Sequence, residues 1–147
     1  MPFRHLLLVA IFLALVGCGK PAPTLPVKPQ ILPDRVKIQF GQEYGSGTYI
    51  GTSAQESILI QNQGQNTLVL QVPTLVGDPE ITMDPPASLE VKGNDHTFIR
   101  LFFAPKLEKV YSATLTISSN AENTPQMLID VSGKGVKPLT DGGTDGG

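Results

Sequence analysis

Three sets of residues in this 147-residue sequence are of the types that do chemistry. The first is Cys18, the chain's one cysteine, which ends an apolar run opening with Met1-Pro2-Phe3-Arg4. A thiolate is the best nucleophile a side chain offers near neutral pH. The second is His96 beside Asp95, following Gly93 and Asn94. A catalytic dyad needs a nucleophile held on its base and a third group orienting that base. The serines and threonines here fall on alternating outward strand positions, so His96 is read as a turn residue. The third set is Asp78, Glu80 and Asp84, which lack the spacing and glycine of a calcium loop and are read as a solvated loop. No catalytic residue, metal site or cofactor is assigned, and the chain is not expected to be an enzyme.

The surroundings of Cys18 say more. Arg4 and the amino terminus make a short positive region, and Leu6 to Val16 carry no charge. That run has the length of a secretory signal core and falls short of the roughly 20 residues a spanning helix needs. Leu15-Val16-Gly17-Cys18 resembles the lipobox of bacterial lipoproteins. The resemblance implies a diacylglyceryl group on the Cys18 thiol, cleavage before it and acylation of the new amino terminus. Several acyl chains, at about 0.8 kcal/mol per buried methylene, would hold the protein firmly on a membrane. Gly19 stands where an aspartate would resemble an inner-membrane retention signal, which leans the expectation towards the outer membrane. The competing readings are an uncleaved short anchor helix and a signal cut elsewhere. Residues 1–17 are therefore expected to be a lipoprotein signal peptide, and the protein to lie in a bacterial cell envelope, facing the periplasm or the cell surface.

Cleavage there leaves residues 18 to 147, a length that favours one domain. Eleven basic residues against 13 acidic give a formal charge of −2. No stretch is dominated by either sign, so nothing points to nucleic acid. With one cysteine, no internal disulfide forms.

Residues 18–34 hold Pro21, Pro23, Pro26, Pro29 and Pro33. Proline fixes φ and biases its predecessor to extended geometry, which predicts a spacer with no place in a helix or sheet. At about 3.1 Å per residue the fourteen residues from Lys20 to Pro33 would reach roughly 40 Å. Over 35–137 the apolar residues recur with period two, the mark of strands with one buried face. The inward sets are Val36, Ile38 and Phe40; Ile58 and Ile60; Leu68, Leu70 and Val72; Ile81 and Met83; Leu89 and Val91; Ile99, Leu101 and Phe103; Tyr111, Ala113, Leu115 and Ile117; and Met127, Ile129 and Val131. Thr97, Phe98, Arg100 and Phe102 are assigned to the opposite face of their strand. Turn formers separate the runs, with Pro73 and Gly77-Asp78-Pro79 read as breaks and Gly133 and Gly135 as the end of the sheet. The pattern predicts an all-β, two-sheet antiparallel sandwich of immunoglobulin type with seven or eight strands.

Several motifs then carry a resemblance. Ile58-Leu59-Ile60-Gln61-Asn62-Gln63-Gly64, Phe40-Gly41, Phe103-Ala104-Pro105, the strand Tyr111 to Asn120, and Ser132-Gly133-Lys134-Gly135 resemble the ASH / choice-of-anchor D domains in the right order. Lys109 departs from the family's usual glycine, and Gly41 to Thr52 is longer than its usual first loop. The resemblance implies a sandwich related to major sperm protein and papD-like chaperone domains, acting as a binding or spacing module without catalytic residues.

Tyr44 and Tyr49 lie in the glycine-rich loop Gly41 to Tyr49. Large aromatics tend to cover a core edge, yet aromatics on loops also bind partners, and this loop is the best candidate contact surface. Residues 138–147, with a tandem Thr-Asp-Gly-Gly, read as a flexible tail. The expected partners are the membrane, through the acyl chains, and an unidentified envelope or surface protein; no small-molecule substrate is expected. Two alternatives stand beside this: chaperone-like binding of an extended client by β-strand addition, and an accessory subunit of an envelope enzyme.

Overall fold

The computed structural model describes residues 24–41 and 47–138. The expected signal peptide (1–17), Cys18, Tyr44 and the residues from 139 onward lie outside the described residues.

Eleven strands are described: β1 (Ile31–Pro33), β2 (Lys37–Phe40), β3 (Thr48–Tyr49), β4 (Ala54–Asn62), β5 (Leu68–Val69), β6 (Thr74–Gly77), β7 (Ile81–Asp84), β8 (Glu90–Val91), β9 (His96–Phe103), β10 (Val110–Ser118) and β11 (Gln126–Val136). One sheet has the order β1-β4-β9-β7. The other runs β2-β11-β10-β6, with β3 also beside β11, and β5-β8 form a short ribbon. The first sheet has the A-B-E-D order and β6-β10-β11 the C-F-G order of an immunoglobulin sandwich. The expected fold is the fold observed.

Alternation builds the core. Ile58 faces Ile99 across β4 and β9, and Leu115 faces Ile129 across β10 and β11; all four are fully buried. Where the sheets close, Phe40, Phe103 and Tyr111 pack with centroids 5.3 and 5.2 Å apart, the second pair edge to face. A Cβ on Gly133 would come within 2.6 Å of the Phe103 ring, so a glycine is needed at that crossing. The Tyr111 hydroxyl accepts from the N–H groups of Lys106 (3.2 Å) and Leu107 (2.9 Å) and donates to the Leu107 carbonyl (3.2 Å). This is a tyrosine corner, tying the start of β10 to the loop before it.

The structure departs from the sequence expectations at several points. Ile31–Pro33, assigned to the spacer, is an edge strand paired antiparallel with β4, and Ile31 is buried in the core. Only Pro33 falls inside that strand, and an edge strand has one backbone side with no ladder partner, where proline's missing N–H does no harm. The folded unit thus begins ahead of residue 35. β2 and β3 both pair parallel with β11, so the sandwich is not wholly antiparallel. Val36 is 56% exposed because the chain crosses between sheets there, and Val72 is 66% exposed beyond the end of its short strand. Between the breaks at Pro73 and Gly77-Asp78-Pro79 the chain forms β6, Thr74–Gly77, and β11 continues through Gly133 and Gly135. Thr97 shares the inner register with Ile99 and is half-buried.

Candidate functional site

The polar residues of the sequence motifs are occupied by the fold. Asn62 is fully buried. Its Nδ2 donates to the carbonyls of Asn66 (2.8 Å), Val91 (3.0 Å) and Lys92 (3.1 Å), and its Oδ1 accepts the N–H of Gly64 (2.9 Å) and of Gln30 (3.3 Å). One side chain thereby holds the loop after β4, the end of β8 and the entry of β1. Asn120 Oδ1 accepts from the Val69 N–H (2.8 Å). Asn123 acts as a short strand substitute, accepting the Ile31 N–H (2.9 Å) and donating to the Ile31 carbonyl (2.7 Å).

The outer face of the β1-β4-β9-β7 sheet is different. Its cross-strand neighbours are Gln61 with His96, Leu59 with Phe98, Ser57 with Arg100 and Gln55 with Phe102. Phe98 is 51% exposed, and the His96 ring stands edge-on to it with centroids 5.2 Å apart. A shallow depression of about 320 Å³ is lined by Ser57, Pro85, Ala87, His96, Phe98 and Arg100. The Arg100 side chain makes no ion pair or hydrogen bond among the described residues, although Asp84 lies opposite it on β7. A planar five-donor cation beside an exposed ring suits a ligand that carries a carboxylate and an apolar surface. Alternation had already put Phe98, Arg100 and Phe102 on the face away from Ile99. The overlooked signal was an aromatic residue at an outward position.

The other residues singled out in the sequence are placed as follows. His96 opens β9 at the end of its turn, with Nδ1 3.7 Å from Asp95 Oδ1. The same oxygen accepts the backbone N–H of His96 (2.8 Å), so Asp95 serves the turn. Tyr49 sits on β3 beside Val136, 41% exposed, at the opposite end of the sandwich from His96. Asp78, Glu80 and Asp84 do not converge: Asp78 is held by Ser112 and Lys109, Glu80 lies 3.6 Å from Lys106, and Asp84 is exposed. No group of three potential metal ligands occurs among the described residues.

The Asp78 carboxyl is held below its ordinary 3.8, first by the Ser112 N–H (2.8 Å) and then by the Lys109 ammonium (2.9 Å); Lys109 is raised in turn by the hydrogen bond it donates to Asp78. A depressed carboxylate contributes stability above its unfolded pKa and loses it as pH falls through the folded value. Acid titration of unfolding is therefore expected to show a loss below about 3.8 that Asp78→Asn flattens.

The sheet edges bear on strand addition. β1 follows Pro29 and ends on Pro33, β6 lies between Pro73 and Pro79, and β7 between Pro79 and Pro85. The β11 edge is covered from Asp130 to Gly133 by β2 and at Gly135 and Val136 by β3. Short strands bounded by proline are how sheets avoid pairing with other chains.

No protein-family model matches the chain, and no curated protein matches it. Solved structures do. A protein of unknown function from Porphyromonas gingivalis W83 aligns with a TM-score of 0.61 at 22% identity, over 78% of this chain and 50% of that one. This chain thus spans half the length of that protein. The ASH / PapD-like domain 7 of human CEP192 aligns with a TM-score of 0.58 at 11% identity, over 85% of this chain and 97% of that domain. The periplasmic chaperone SfaE aligns with a TM-score of 0.50 at 9% identity, over 75% and 58%. At these identities the likeness is one of fold.

Proposed function

We propose that this chain is a lipid-anchored protein of a bacterial cell envelope, of the ASH / choice-of-anchor D group, presenting a non-catalytic immunoglobulin-like module for protein interaction or structural assembly. The observation that carries the binding part is the exposed Phe98 between His96 and Arg100, whose side chain has no partner among the described residues. Aromatic and arginine side chains dominate the energetics of protein contacts. The anchoring part rests on Leu15-Val16-Gly17-Cys18, with Gly19 favouring the outer membrane. Leu25, whose carbonyl accepts a hydrogen bond from Gln65 Nε2 (2.6 Å), lies seven positions after Cys18. At up to about 3.5 Å per residue, that span holds the domain within roughly 25 Å of its anchor, well under the reach expected of a free spacer ending at Pro33.

Strand addition is the weaker reading, because the edge strands β1, β6 and β7 are short and flanked or ended by proline, and the edge strands β2 and β3 are four and two residues long. The test is intact mass and membrane fractionation of the native chain beside Cys18→Ala. The native chain is expected in the membrane fraction, heavier by acyl groups, and the variant in the soluble fraction without them. Two soluble chains without added mass would overturn the anchor. For the contact face, crosslinking in the envelope is expected to lose partner adducts in a Phe98→Ala, Arg100→Ala variant and to keep them in a Tyr44→Ala, Tyr49→Ala variant; the reverse pattern would move the surface to the first loop.

A further inference from the structure

The chain enters and leaves the sandwich at opposite ends. At the entry, Pro26 and Val27 accept hydrogen bonds from the N–H groups of Gln65 and Asn66 (2.8 and 3.0 Å), and Pro29 accepts from Glu122 (3.0 Å). Lys28 pairs with Glu122 at the same place. At the exit, the N–H of Ile50 donates to Val136 (2.9 Å) and that of Gly135 to Lys109 (2.9 Å). Between these ends runs β4, nine residues long, roughly 30 Å of extended chain.

The last strand, β11, is hydrogen-bonded to β2 and β3, and all three run in the same direction. Lys37, Ile38, Gln39 and Phe40 are in register with Asp130, Val131, Ser132 and Gly133, and Thr48 and Tyr49 extend the parallel pairing to Gly135 and Val136. A pull on the entry segment away from the exit end draws β2 along its own length against β11. It also draws β1 along β4, where Ile31 faces Asn62 and Pro33 faces Ile60. Bonds that lie across the direction of pull share the load and must break together. The same bonds pulled apart from one end break one at a time. The two side-chain bonds from Asn123 to Ile31 add to the set that must break together.

We infer that the domain is a load-bearing link, resisting tension between the N-terminal anchor and whatever engages the chain or its surface beyond Val136. The inference rests on the anchored reading above, since only an anchor on the entry side puts tension on this axis.

The test is single-molecule stretching of the full, unacylated chain held by the Cys18 thiol and by a tag on its C-terminal residue. The comparison is the full chain carrying Cys18→Ala and Ser53→Cys, held by residue 53 and the same tag. Ser53 is exposed and adjoins Ala54, which faces Phe103 at the exit end, so this second pull works on one end only. Forced unfolding follows the unfolding barrier along the pulled direction. At equal loading rate, the Cys18 axis is expected to unfold at about twofold higher force or more. Equal or lower force along that axis would overturn the inference. Since the chain is unacylated, this result does not depend on lipid attachment, which the fractionation of Cys18→Ala decides separately.

Discussion

Asn62→Asp is expected to cost about 3–5 kcal/mol at neutral pH, the range for leaving a buried charge uncompensated. A stable domain holds only about 5–15 kcal/mol in total, so most of the molecules would lie close to unfolding. The cause is local and complete. The Asn62 amide nitrogen supplies donors to three carbonyls, those of Asn66, Val91 and Lys92. A carboxylate supplies none and places negative charge against all three oxygens. The change is nearly isosteric, so packing does not confound it. Its sign with pH is also defined. A carboxyl among carbonyls has its folded pKa raised, so the penalty is smallest where the acid is protonated in both states and grows as pH rises through the unfolded value. Denaturant unfolding at pH 4 and pH 7 is expected to give a larger deficit at pH 7, while Asn62→Leu gives the same deficit at both. An Asn62→Asp chain as stable as the native one at pH 7 would show that the three carbonyls have other donors.

Gly64→Ala is expected to cost about 2–3 kcal/mol, the upper range for forcing a methyl group into packed backbone. An added Cβ would lie 2.1 Å from the Lys28 carbonyl oxygen and 2.8 Å from the Pro29 Cα, both parts of the main chain that cannot rotate away. The entry segment must lift, and with it go the bonds from Gln65 and Asn66 to Pro26 and Val27. Denaturant unfolding is expected to fall by that amount, and limited proteolysis to cut first within 24–33, before the rest of the domain opens. Unchanged stability with unchanged cleavage there would mean that the segment is not part of the folded unit.

Both substitutions fall on residues the motifs had marked, Asn62 and Gly64, yet the sequence offers no reason for either. The glycine is not needed for a turn; it is needed because another stretch of backbone, some 35 positions earlier, passes against it. The asparagine's partners come from loops that only the folded sheets bring together. The opposite holds for Phe98 and Arg100. Alternation placed them on the outer face, but nothing in their spacing said that no loop or strand would cover that face.

What the sequence by itself determined is what depends on near neighbours. Period two assigned Ile58, Ile60, Ile99, Leu101, Leu115 and Ile129 to the interior, and all are buried. The turn formers at Gln63 to Asn66 and Ser119 to Asn123 ended strands where expected. What only the tertiary structure decided is pairing. Strand period specifies a face and not a partner, because a ladder's hydrogen bonds join residues far apart in the chain. Pro29 to Pro33 favour extended backbone equally well in a free spacer and in an edge strand. Burial of Ile31, with both its backbone groups bonded to Asn123 some 90 residues later, chose the strand. The parallel pairing of β2 with β11 arose in the same way, once the chain crossed between sheets at Val36.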